Sequence, residues 1–138
     1  MTPKPGAREE IQLLASALRN SSDVRLVGAI AITEPESTLL TWVFTGDPTL
    51  TQTTFGVIAA GYSVNLKFDC TDLTACSVFN LATSHNEFVP LNYLYDNTIF
   101  TAEVPTSVVD LSTADTFRFN ITANAVSRGV ATVEPTYN

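Results

Sequence analysis

Positive charge is scarce in this chain, and scarcest in its middle. Between Leu26 and Phe117 the only basic residue is Lys67, set against ten acidic ones. Over all 138 residues, 14 acidic and 7 basic side chains leave a formal net charge of −7. Such a surface repels phosphate backbones, so no nucleic-acid partner is expected. Anionic membranes are disfavoured for the same reason. No apolar run is long enough to span a bilayer, so membrane insertion is not expected either. Charged residues of all kinds make up only 15%, whereas 45% are hydrophobic. Chains that stay disordered have the opposite balance.

Metal-ligating and nucleophilic residues are equally sparse. With one histidine and two cysteines, no tetrahedral zinc site is expected. His85 has Ser84 and Glu87 as near neighbours in one polar turn, whereas a catalytic triad needs its members to converge from separate places. No Gly-x-Ser-x-Gly elbow occurs, and nothing selects a carboxylate pair for glycoside hydrolysis. The expectation is a protein without catalytic activity or a cofactor. An enzyme whose site is assembled from scattered acids is a third reading. The one ion that acidic turns suit is calcium, which takes several oxygen ligands. Asp69 and Asp72 share a turn and are its first choice, although no Asp-x-Asp-x-Asp-Gly loop is present. Cys70 and Cys76 flank the same turn. They either bridge across a hairpin, adding about 2 kcal/mol, or remain free thiols, which are common in protein interiors.

What the chain does have is alternation. From Tyr62 to Cys70, Tyr62, Val64, Leu66, Phe68 and Cys70 fall on one side and Ser63, Asn65, Lys67 and Asp69 on the other. That period of two marks a strand with one apolar and one wet face, as antiparallel sheets allow. Phe117, Phe119 and Ile121 repeat the pattern, as do Leu40, Trp42 and Phe44, and Leu26, Ile30 and Ile32. The predicted core is Leu26, Ile30, Trp42, Phe44, Val64, Leu66, Phe68, Phe117, Phe119 and Ile121.

Turn clusters at Glu34–Ser37, Gly46–Pro48, Asp69–Cys76, Thr83–Asn86, Asp96–Asn97 and Ser112–Asp115 separate eight or nine short strands. The predicted class is all-β, an antiparallel β-sandwich or jelly-roll-like domain. Residues 1–6 read as a linker and residues 7–138 as a single domain, with strands across 24–133. Over residues 7–20 the period changes. Ile11, Leu14, Ala15 and Leu18 sit at helical spacing, with Glu9 and Glu10 in the first turn, which predicts a short N-terminal helix.

Aromatic residues suggest where contact occurs. Trp42 and Tyr62 lie on apolar strand faces and are assigned to the core. Glu87 to Tyr95 reads as one strand, with Pro90 marking it as an edge. Near its end Tyr93, Leu94, Tyr95 and Asp96 are the candidate interface or receptor-contact residues, the alternative for the tyrosines being that they cap the core. Asn20-Ser21-Ser22 and Asn120-Ile121-Thr122 match the glycosylation acceptor pattern, which recurs often by chance.

The layout resembles the projecting domain of a small non-enveloped RNA virus capsid protein of the nodavirus and tombusvirus kind. The features that carry the resemblance are the Thr2-Pro3-Lys4-Pro5-Gly6 hinge, the Thr- and Val-rich short strands from Val24 to Ile121, and the polar end Val133-Glu134-Pro135-Thr136-Tyr137-Asn138. The helix expected over residues 7–20 departs from that family. The resemblance implies a β-sandwich on the outer surface of a virion, forming dimeric spikes and meeting a host-cell receptor or glycan. The second expectation is a carbohydrate-binding module of a secreted or phage protein.

Overall fold

A computed structural model describes residues 23–138. The linker and helix expected over residues 1–20 lie outside the described residues. The chain forms β1 (Arg25–Thr33), β2 (Ser37–Thr45), β3 (Gln52–Ala59), β4 (Tyr62–Asp69), β5 (Asp72–Asn80), β6 (His85–Phe88), β7 (Asn92–Asp96), β8 (Ile99–Pro105), β9 (Phe117–Ala123), β10 (Val126–Val133) and β11 (Thr136–Tyr137). A 3-10 turn at Pro48–Leu50 leads into β3. One sheet has the order β11-β1-β2-β8-β7 and the other β10-β9-β3-β4-β5-β6. All pairings are antiparallel except β1 with β11. Consecutive strands mostly pair within one sheet, so the domain is a sandwich of hairpins.

The alternation seen in the sequence builds the core. Trp42, Phe44, Val64, Leu66, Phe68, Phe117, Phe119 and Ile121 are buried, and Leu26 packs against them half-buried. Phe55 and Phe100 join the two sheets with rings stacked 4.2 Å apart. Trp42 reaches from β2 across the interior, where its Nε1–H donates to the carbonyls of Gly56 (3.0 Å) and Asn120 (3.1 Å) on the facing sheet.

Ile30 departs from the expected core, being 49% exposed. The cause is a bulge. Leu26 pairs with Phe44 but Gly28 pairs with Val43, leaving Val27 as an extra residue. One inserted residue flips every later side chain to the other face. Ala31 and Thr33 therefore point inward, and Ile30 and Ile32 outward.

The single strand expected from Glu87 to Tyr95 is two. β6 ends at Phe88 on the edge of the larger sheet, and β7 begins at Asn92 on the edge of the smaller. Pro90 lies in the crossing, where it has no ladder bond to donate. Val89 keeps a backbone bond to Cys76 (2.9 Å) and Leu91 is buried, so the crossing is anchored at both sides. Val108–Leu111 forms no strand. Val109 and Leu111 are buried there and close one end of the core.

Candidate functional site

The tyrosines and their neighbours on β7 divide between two faces. Tyr93 pairs in register with Ala102 and Tyr95 with Phe100, both buried, so the two rings point into the sandwich. Tyr95 packs edge-on against Phe44, Phe55, Phe68 and Phe100. Tyr93 touches Phe68 and Phe100 and stays 41% exposed at the open margin. Leu94, registered with Thr101, and Asp96, registered with Ile99, point to the outer face. Asn97 turns the chain back into β8 at a φ of +60°, a conformation asparagine tolerates better than most residues.

Burial holds the Tyr95 hydroxyl in its protonated form to higher pH than usual, and the nearby Asp47 charge adds to the effect. Tyrosine in the unfolded chain titrates near ~10. The folded protein thus keeps a proton that the unfolded chain releases, and stability present below that pH falls as pH rises through it. Denaturation midpoints measured from pH 8 to pH 11.5 should decline above about pH 10, and Tyr95→Phe should flatten the decline. An unchanged slope in that variant would remove Tyr95 as its source.

The outer face of the smaller sheet is unusually apolar. One row across β1, β2, β8 and β7 reads Ile30, Thr41, Thr101, Leu94. The rows on either side read Gly28, Val43, Ile99, Asp96 and Ile32, Leu39, Glu103, Asn92. Leu94 is 66% exposed, and Ile30 and Ile99 are exposed as well. Thr41 and Thr101 satisfy one another through their hydroxyls at 3.2 Å, which leaves the centre of the face with little hydrogen-bonding demand. Charge enters the three rows only at Asp96 and Glu103. Scattered exposed apolar residues need no explanation, but a contiguous patch marks an interaction surface. A signal for it was present in the sequence. Leu39-Leu40-Thr41-Trp42-Val43-Phe44 is apolar on both parities, the mark of a strand covered on both faces.

Asp69 and Asp72 are opposite one another and close the β4–β5 hairpin, both exposed. Among the described residues no group of three or more His, Cys, Asp or Glu side chains converges on a metal position. Two carboxylates fall well short of the six to eight oxygens calcium takes. Cys70 and Cys76 are both free thiols, which corrects the cross-hairpin bridge. The hairpin turns at Cys70 and Thr71, so Cys76 pairs with Leu66, four residues before Cys70. Four strand residues span about 13 Å, beyond the roughly 7 Å a disulfide bridges. Burial pushes the Cys76 thiol up from its ordinary value, while Cys70 is exposed in the turn at a φ of +56°. His85 is exposed on the edge strand β6. Asp110 accepts from the Ser112 amide and hydroxyl, and these bonds lower its carboxyl below the usual range.

No protein-family model matches the chain, and no curated protein matches it.

Proposed function

We propose that this domain is a non-catalytic recognition and assembly module that projects from a virion surface, pairs with a second copy of itself and meets a host receptor. The observation that carries the proposal is the apolar outer face of the smaller sheet. An open sheet with Ile30, Val43, Leu94 and Ile99 turned to solvent invites a flat apolar partner. A second copy meets that need by twofold symmetry, the same face on both sides.

Size argues for a weak pair. Four strands at about 4.8 Å spacing and strand lengths near 25 Å enclose roughly 500 Å² per copy. Roughly 1,000 Å² in total is at the low end for a specific interface. A lattice of copies supplies the missing affinity by raising local concentration. The predominance of β-hairpins and the net charge of −7 fit an outer projection better than a layer touching packaged RNA.

Electron microscopy of the protein expressed from its whole gene tests the viral part of the proposal. Closed particles bearing surface projections are the expected result. A secreted, unassembled product that binds sugars would favour the carbohydrate-binding module instead.

A further inference from the structure

We propose that the outer face of the larger sheet carries a binding groove for an uncharged, hydroxyl-rich glycan. The proposal deepens the recognition role above but does not depend on self-pairing, which uses the opposite sheet.

The groove has a volume of about 560 Å³, within the range of small-ligand sites. It sits where β3 begins and β4 and β9 end, bounded by Thr74 of β5 and by Ala125 in the β9–β10 turn. Thr122, Thr54 and Lys67 form one row across its floor, from β9 to β4. The next row is Asn120, Gly56, Asn65, Ser77 and Phe88, running on to β6.

Three features make this a built site. Gly56 is the first. A Cβ there would lie 2.7 Å from Asn120 Oδ1 and 2.8 Å from Asn65 Oδ1, so the two amide side chains close over the glycine from both flanking strands. Asn65 is also held from behind, its Nδ2 donating to Ser63 Oγ at 3.0 Å, which leaves Oδ1 facing the floor. Secondly, Thr74 is the extra residue of a bulge in β5, and its hydroxyl donates to the Lys67 carbonyl (3.1 Å) at the groove's wall. Bulges of this kind re-aim side chains beside binding sites. Thirdly, the polar groups on the floor lack protein partners. Among the described residues, the side chains of Gln52, Thr54, Lys67 and Thr122 make no hydrogen bond or ion pair with protein.

The lining selects the ligand class. Lys67 only donates, Asp69 only accepts, and the amides and hydroxyls do both. A sugar hydroxyl is itself both donor and acceptor, so it can use every one of these groups. An anionic ligand would meet Asp69 in the groove and a protein of net charge −7, which disfavours it. Phe88 is 71% exposed on the outer face, two strands from Asn65. Two strand spacings are about 10 Å, the reach of a second sugar unit, whose apolar face would lie on the ring.

The test uses bacterially expressed protein, so that Asn120 carries no glycan. An array of neutral hexose and N-acetylhexosamine oligosaccharides beside sialylated ones should show binding to neutral members. Titration of the neutral hits by NMR should shift the amides of Thr54, Asn65 and Lys67. Lys67→Ala or Thr54→Ala should weaken binding by about tenfold with an unchanged melting temperature. Phe88→Ala should weaken binding to the longer glycans and spare the monosaccharides. Absence of binding, binding confined to sialylated members, or shifts mapping away from the groove would overturn the proposal. Leu94→Asp, on the opposite sheet, should leave glycan binding intact, so failure here and failure of self-pairing are read separately.

Discussion

Trp42→Ala is expected to destabilise the domain by about 3–5 kcal/mol, a large share of the 5–15 kcal/mol that typically separates folded from unfolded chains. Trp42 is wholly buried and touches Phe55, Phe100 and Phe119, which come from both sheets. Its removal leaves a cavity at the sandwich centre that rigid strands cannot close. It also removes a donor that reaches the Gly56 and Asn120 carbonyls on the facing sheet. Trp42→Phe separates the two contributions, since it keeps most of the ring volume and loses the hydrogen bond, net about 0.5–1.5 kcal/mol. Urea denaturation with a common m-value is the measurement. A loss below about 1 kcal/mol for the alanine variant would contradict a core centred on this residue.

Gly46→Ala should produce the second large effect, about 2–6 kcal/mol, from two causes that act together. Gly46 has a φ of +85°, where a side chain is strained by about 1–3 kcal/mol. An added Cβ would also lie 2.6 Å from the Asp23 carbonyl oxygen and 2.9 Å from the Val24 Cα. Those are backbone atoms entering β1 next to the fully buried Val24, so they cannot swing aside. Crowding of that sort adds about 1–3 kcal/mol more. Gly56→Ala makes an instructive contrast. Its clashes are with the ends of two asparagine side chains rather than with backbone, so stability should change less than groove geometry. A Gly46→Ala variant that melts with the parent protein would show that the start of β1 yields more easily than this packing implies.

The sequence revealed whichever features are written in alternation and hid those set by register. Val64, Leu66 and Phe68, and Phe117, Phe119 and Ile121, were legible as inward faces because nothing interrupts their period. Ile30 was not, because the Val27 bulge lies in a run where every residue is apolar or small and leaves no trace in composition. Pro90 announced an edge but not the passage from one sheet to the other, since proline says only that no ladder bond is donated. Tyr93 and Tyr95 stood out as aromatic residues near a turn. Whether they faced in or out depended on pairing with Ala102 and Phe100, which no local pattern states. Cys70 and Cys76 invited a bridge by spacing alone, and the two-residue turn at Cys70 and Thr71 sets them four strand positions apart. The polar groove was hidden for a further reason. Its floor comes from β9, β3, β4 and β5, and only the strand order brings Thr122, Thr54 and Lys67 into one row.

Sedimentation equilibrium over a wide concentration range, on the parent protein and on Leu94→Asp, tests self-pairing through the smaller sheet most directly. Leu94 is exposed on the outer face, so the substitution should leave the melting temperature nearly unchanged while placing a charge in an apolar contact. The parent should populate a dimer at high concentration, and the dimer should tighten as salt screens the net charge of −7. Leu94→Asp should remain monomeric throughout. A parent protein that stays monomeric at every concentration and salt, or a variant that pairs as well as the parent, would contradict pairing through this face.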